Sequence, residues 1–159
     1  MSESEAIYLD SGLSIDETAR KLAEVLRASI VRHDNGEIAV RRPAAADPVR
    51  SIGGEVTGNE DGEDDPEPGD EAVYDRYDLV FDLVFELWLS GRTDEDMLHS
   101  ESQQIFDEIT AALPWPAVHV NVNGLLYSAW KPDLGRTDFP PRTFYTASSR
   151  ALWEPYAHP

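Results

Sequence analysis

Carboxylates are the groups in this sequence best placed to do chemistry, and they occur in three settings. Leu9-Asp10-Ser11-Gly12 has the Asp-Ser-Gly order of an aspartic protease, whose mechanism needs two carboxylates sharing one proton. That motif belongs in an all-β setting, yet a helix cap begins soon afterwards at Ser14. Asp10 and Ser11 therefore read as a turn whose side chains bond the backbone ahead of that helix. The second setting is GNEDGEDDPEPGDE, residues 58–71, which offers many oxygen ligands for calcium. An EF-hand loop needs glycine sixth and a bidentate glutamate twelfth. Placing Gly62 sixth puts Pro68 in the twelfth place, so the match fails.

The third setting is Asp78, Asp82 and Glu86, which share one face of YDLVFDLVFELWL if residues 77–89 form a strand. No base or nucleophile accompanies them, so they read as a solvated face or, with Trp88, as part of a partner-binding surface. His33, His99, His119 and His158 are scattered without an i, i+4 pair. His33 and His119 fall in corresponding strands of the two halves, which could bring them together across a sheet. Ordinary half-exposed strand histidines are the plainer reading, and no metal site is assigned. The chain has no cysteine, which excludes thiol catalysis and cysteine-ligated zinc. GxSxG, GxxxxGK[ST] and GxGxxG are absent, and Gly53-Gly54 sits in a polar stretch rather than after an apolar strand. No catalytic residue and no cofactor is assigned.

These residues must be positioned by the following elements. Ser14 and Glu17 form a capping box, and Ile15, Ala19, Leu22 and Leu26 give a helix over about 15–28 its apolar face. Asn35-Gly36 then separates β-prone runs at 30–33 and 37–41, a hairpin signal with both residues tolerant of a type I′ turn. Residues 43–73 are rich in Ala, Pro, Gly, Asp and Glu and are expected to form a long mobile acidic loop. In 77–89, helical spacing would gather the acids into one stripe, but the Val, Phe, Tyr and Trp content favours a strand. Ser100 and Gln103 suggest a second cap, Ile105 to Leu113 an apolar helix face, and Pro114 its end. Asn123-Gly124 then lies between two more alternating runs. The aromatic tail, with Phe144, Tyr145, Leu152, Trp153 and Tyr156, is too apolar to stay in water and should pack back on the sheet through a short helix near 147–153.

The expected architecture is one α+β domain over 1–159. It consists of an antiparallel sheet from two β-α-β-β units, both helices on one face, closed by the tail. Thirteen Lys and Arg against 31 Asp and Glu give a net charge of −18, which opposes nucleic acid or an anionic membrane as partner. A basic protein partner fits instead, with the chain acting as a monomer or homodimer. The N-terminus lacks the basic and apolar regions of a signal peptide, and no run approaches the ~18 apolar residues of a membrane span, so a cytoplasmic location is expected.

The segments GLSIDETARKLAEVL, GEIAVRRP, YDLVFDLVFEL and VHVNVNGLLYSAW, with a tail ending LWEPY, give a layout over about 13–156 that resembles small acidic immunity proteins of bacterial polymorphic-toxin systems. The resemblance implies a non-enzymatic cytoplasmic protein that binds and inhibits a cognate toxin. The order of elements is also similar to acidic secretion-chaperone-like proteins, which bind an effector segment, usually as dimers. An enzyme with an unrecognised site is the third alternative. Contact residues in such immunity proteins differ from pair to pair, so the expected partner surface comes from charge and aromatics alone. It comprises Glu60, Asp61, Glu63, Asp64 and Asp65 of the acidic block, Asp78, Asp82 and Glu86 of the strand, and Trp88 and Trp153 as anchors.

Overall fold

A computed structural model describes residues 4–45, 48–59, 72–85, 95–121, 123–145 and 147–159. Strand β1 (Glu5–Leu9) leads into helix α1 (Ile15–Leu26), then β2 (Ser29–Arg32), β3 (Ile38–Pro43) and β4 (Ser51–Gly58). Strand β5 (Leu79–Phe85), helix α2 (Glu95–Ala112), β6 (Ala117–Asn121), β7 (Leu126–Lys131) and β8 (Gly135–Asp138) follow. Helix α3 (Arg150–Trp153) lies between two short 3₁₀ turns at the C-terminus.

The cap at Ser14 forms as read: the Glu17 N–H donates to Ser14 Oγ, and that hydroxyl donates to the Glu17 carboxylate. Asp10-Ser11-Gly12 is a turn, with Ser11 Oγ accepting from the Leu13 N–H and bonded to the Thr18 hydroxyl. The two Asn-Gly pairs do make hairpins, but not through type I′ turns. Only the glycines take positive φ, 89° at Gly36 and 90° at Gly124. Each loop has three residues closed by paired bonds, His33 N–H to Glu37 O and Gly36 N–H to His33 O in the first. This is the type I turn with a left-handed glycine that also suits the strand twist. Helix α2 already includes Glu95, five residues before the expected cap, leaving Ser100 inside the helix rather than at its start.

All eight strands form one antiparallel sheet in the order β2-β3-β4-β5-β1-β6-β7-β8. The two β-α-β-β units are present, but they exchange their first strands. Strand β1 pairs with β5 on one side and β6 on the other, so the β5-α2-β6 crossover spans only β1. The β1-α1-β2 crossover spans β5, β4 and β3. The two halves therefore occupy non-equivalent positions in the sheet.

The largest departure lies within 43–73, where a mobile loop is expected. Residues 51–58 instead form β4, near the middle of the sheet between β3 and β5. Composition concealed it because its key residues are glycines. A Cβ on Gly54 would stand 1.7 Å from the Asp82 carbonyl oxygen, and one on Gly53 2.0 Å from that of Val40. Gly53 also has φ 147°, which side-chain-bearing residues rarely adopt. Gly53-Gly54 is thus a close strand contact rather than part of a loop.

Both helices lie on one face. Leu22 and Leu26 of α1 and Ile105, Phe106 and Ile109 of α2 pack with Ile7, Leu9, Ile38, Val40, Ile52, Phe81 and Leu83 of the sheet. Arg42 of β3 ties this layer together, donating to the Leu26 carbonyl at 3.0 Å and to both Glu108 carboxylate oxygens of α2. The tail returns as expected, onto the opposite face. Trp153 and Tyr156 pack there with Tyr8, Tyr77, Val118, Leu126 and Phe139. Phe144 and Leu152 stay exposed.

Candidate functional site

Strand alternation decides which acids share a face. Leu79, Phe81 and Leu83 of β5 point to the helices, so Val80 and Asp82 point the other way. Register then carries this face across the sheet. Ala6 of β1 pairs with Asp82, Val56 of β4 with Phe81, and Ala39 of β3 with Glu55. Glu55 therefore stands on the Asp82 side, as does Glu37, two residues before Ala39. Asp10 follows Leu9, the partner of Leu79, and meets Asp78 on this same side. Five carboxylates from four stretches of sequence are thus gathered on the face opposite α1 and α2: Asp10, Asp78, Asp82, Glu55 and Glu37. Arg41, further along β3, shares the face.

The acids are close enough to perturb one another. Partial burial, then the Asp78 charge, pushes the Asp10 carboxyl above its ordinary range. A hydrogen bond to Glu37, followed by burial and the charges of Glu37 and Asp82, does the same to Glu55. Glu37, receiving that hydrogen bond, is held lower. Glu37 and Glu55 are in effect two like charges competing for one proton.

Beside Asp82 the face is indented. A cleft of about 210 Å³ is lined by Asp82, Tyr8, Tyr74 and Tyr145, with Ser4, Ala6, Val120 and Asn121 completing it. Tyr8 and Tyr74 stack with ring centroids 4.5 Å apart, and Tyr145 meets Tyr74 edge-on at 4.8 Å. Desolvation first, and then the neighbouring Tyr145, pushes the Tyr74 phenol well above its usual range, so it stays neutral. Aromatic faces next to a carboxylate can hold a cationic side chain through both the ring quadrupole and the charge.

A different constellation lies under α2 on the helix face. Glu5 starts β1 and alternates with Ile7 and Leu9, so its carboxylate turns inward and is 5% exposed. His119 of β6 is opposite Ile7, fully buried, with Nε2 2.6 Å from Glu5 Oε1. His99 of α2 places Nδ1 3.2 Å from both Glu5 oxygens. Burial would raise Glu5, but hydrogen bonds from His119 and His99 outweigh it and hold the carboxyl below its ordinary range. Its hydrogen bond to Glu5 raises His99, whereas burial lowers His119. The arrangement is a buried carboxylate held between two imidazoles, one with its proton affinity raised and the other with it lowered.

The sequence-derived residues fare unevenly. Asp78 and Asp82 are exposed and together on the face opposite α1 and α2. Glu60, Asp61, Glu63, Asp64, Asp65, Glu86 and Trp88 lie outside the described residues. Trp153 is 0% exposed, a core residue rather than a docking anchor. Its apolar bulk was read correctly as needing burial, but the sheet itself supplies the burying surface. His33 does not join His119; His119 stacks with His99 instead, ring centroids 5.8 Å apart. Glu37, Glu55 and Asp10 were missed as members of the acidic face because their convergence depends on β4 and on the central position of β1. Glu5 could have been found from the alternation Glu5, Ile7, Leu9. Comparison with family models, curated proteins and solved structures gave no match to this chain.

Proposed function

We propose that this chain is a protein-binding module that neutralises a basic partner, in the manner of an immunity protein acting on a toxin domain. The observation carrying this reading is the set of five carboxylates on the sheet face opposite α1 and α2, two of them with raised proton affinity. Like charges placed opposite one another weaken a sheet. A cationic partner would relieve that repulsion and turn it into association energy, so the arrangement suits binding better than stability.

In the proposed mechanism the −18 net charge speeds encounter, and the acidic face sets the orientation. A lysine or arginine of the partner then enters the tyrosine-lined cleft over Asp82. Trp153 plays no part in the contact.

The test is binding of the purified chain to a basic bacterial toxin domain from the same genomic neighbourhood, followed by association kinetics at low and high salt. The Asp82→Asn/Glu55→Gln double variant should bind at least tenfold more weakly, with a shallower salt dependence of the association rate. Equal affinity and equal salt dependence in the two proteins would remove this face from the mechanism.

A further inference from the structure

We propose that Glu5, His99 and His119 form a binding site for a divalent transition-metal ion, with zinc the best-suited member of that class. One ligand atom from each residue lies within 4.8 Å of the other two. The three come from β1, α2 and β6, elements already locked together by the sheet and the helix layer, so their convergence is built into the fold. Two are almost wholly buried, which distinguishes the cluster from acidic groups scattered on a surface.

The donor set selects the metal. Two imidazoles and one carboxylate suit zinc and its transition-metal neighbours, whereas magnesium and calcium prefer oxygen alone. Two histidines and one glutamate are also a recurrent zinc set that leaves one position open. Around a tetrahedral zinc the donors stand roughly 3.3 Å apart, from bond lengths near 2 Å. The 3.2 Å between Glu5 and His99 already fits, and the 2.6 Å between Glu5 and His119 has to open. A cleft of about 200 Å³, lined by Glu5, His99, Asp96, Asn121 and Tyr127, reaches the cluster from outside. It supplies the route of entry and room for a water in the open position.

Proton balance follows from the same contacts. The ion takes the place of the hydrogen bonds that join Glu5 to the two rings. Each ring must present a lone pair to the ion, so a proton on His99 Nδ1 leaves to solvent, and one on His119 Nε2 leaves or moves to Nδ1. His119 Nδ1 is buried with no hydrogen-bond partner, so the bound form lacks the acceptor that usually orients a ligating histidine. Such a missing outer partner costs about 10–100-fold in affinity relative to a site that has one.

The experiment is calorimetric titration of the full chain with zinc in excess magnesium, which occupies sites made of carboxylates only, repeated with cobalt and read by visible absorption. One equivalent of zinc should bind with release of protons, cobalt should develop ligand-field bands, and His99→Gln should weaken both by about tenfold or more. His33→Gln should leave both unchanged. His99 is half-exposed on a helix, so its substitution tests the site without emptying the core. Absence of saturable zinc binding under magnesium, or equal affinity in wild type and His99→Gln, would overturn the proposal and leave the cluster as a hydrogen-bonded ion pair.

Discussion

Replacing Trp153 by alanine should weaken the C-terminal closure without removing a side chain that lines the tyrosine cleft. The indole is 0% exposed and sits among Tyr77, Val118, Ala129, Phe139 and Tyr156. Large-to-small substitution at such a site costs about 3–5 kcal/mol, from lost transfer energy and the cavity left behind. The guanidinium of Arg150, 5.9 Å above the ring centre, adds about 0.5 kcal/mol at a half-exposed position. For a chain of this length each kcal/mol lowers the melting temperature by about 2–4 °C, so the fall should be about 6–20 °C. Thermal and urea unfolding followed by circular dichroism would measure it. Affinity for a partner, taken well below the lowered melting temperature, should change by less than a factor of two. Two results would refute the reasoning. An unchanged melting temperature would mean that the tail does not close the sheet. A large loss of affinity with the fold intact would restore Trp153 as a contact residue.

Glu55→Gln should leave the isolated protein as stable or slightly more stable, because glutamine keeps a hydrogen bond to Glu37 while removing a like charge; a lower denaturation midpoint would contradict that. Gly54→Ala drives a Cβ into the Asp82 carbonyl, 1.7 Å away, and should part β4 from β5. Its cost is about 3 kcal/mol or more, above the common range for overpacking because backbone rather than a side chain must yield, and denaturant titration would show it. Stability should also peak near neutrality because of the Glu5 cluster. The His99 pKa is raised above its ordinary 6.5, so its contribution is full below that value and is lost as pH rises through the folded pKa. The lowered His119 and Glu5 values act in the opposite sense, their contributions being lost as pH falls below about 6.5 and then below 4.5. In His99→Gln the alkaline loss should disappear while the acid loss remains, as melting curves from pH 4 to 9 would report.

Local signals were the readable part of this sequence. Ser14 with Glu17, the two Asn-Gly pairs, and the alternation of Leu79, Phe81 and Leu83 each act over a few residues, and each is found in place. Strand β4 was hidden because its interior requires glycine for close approach of neighbouring strands, and glycine in a polar stretch looks like a loop. The early start of α2 was hidden for a related reason: residues 95–104 are polar apart from Met97 and Leu98, and their helicity is secured by packing of Leu98 and of the later turns. Site legibility followed the same division. Asp78 and Asp82 were visible within one strand, whereas Glu55, Glu37 and Asp10 reach them only through register. The His99–Glu5–His119 cluster joins three elements far apart in the chain, and no spacing rule could reveal it.

The central position of β1 bears on how this chain reaches its native state. Its partners are residues 79–83 on one side and 117–121 on the other, so both its edges stay open until distant segments are made. Pairings between such remote segments slow folding, because loop closure must precede the reward. During synthesis the first strand emerges early and waits longest, with Ile7 and Leu9 uncovered. The same geometry makes β1 separable: a chain lacking its first dozen residues would carry a slot between β5 and β6. A short peptide bearing Glu5–Leu9 could fill that slot, making assembly of the fold a recognition event that can be switched on from outside.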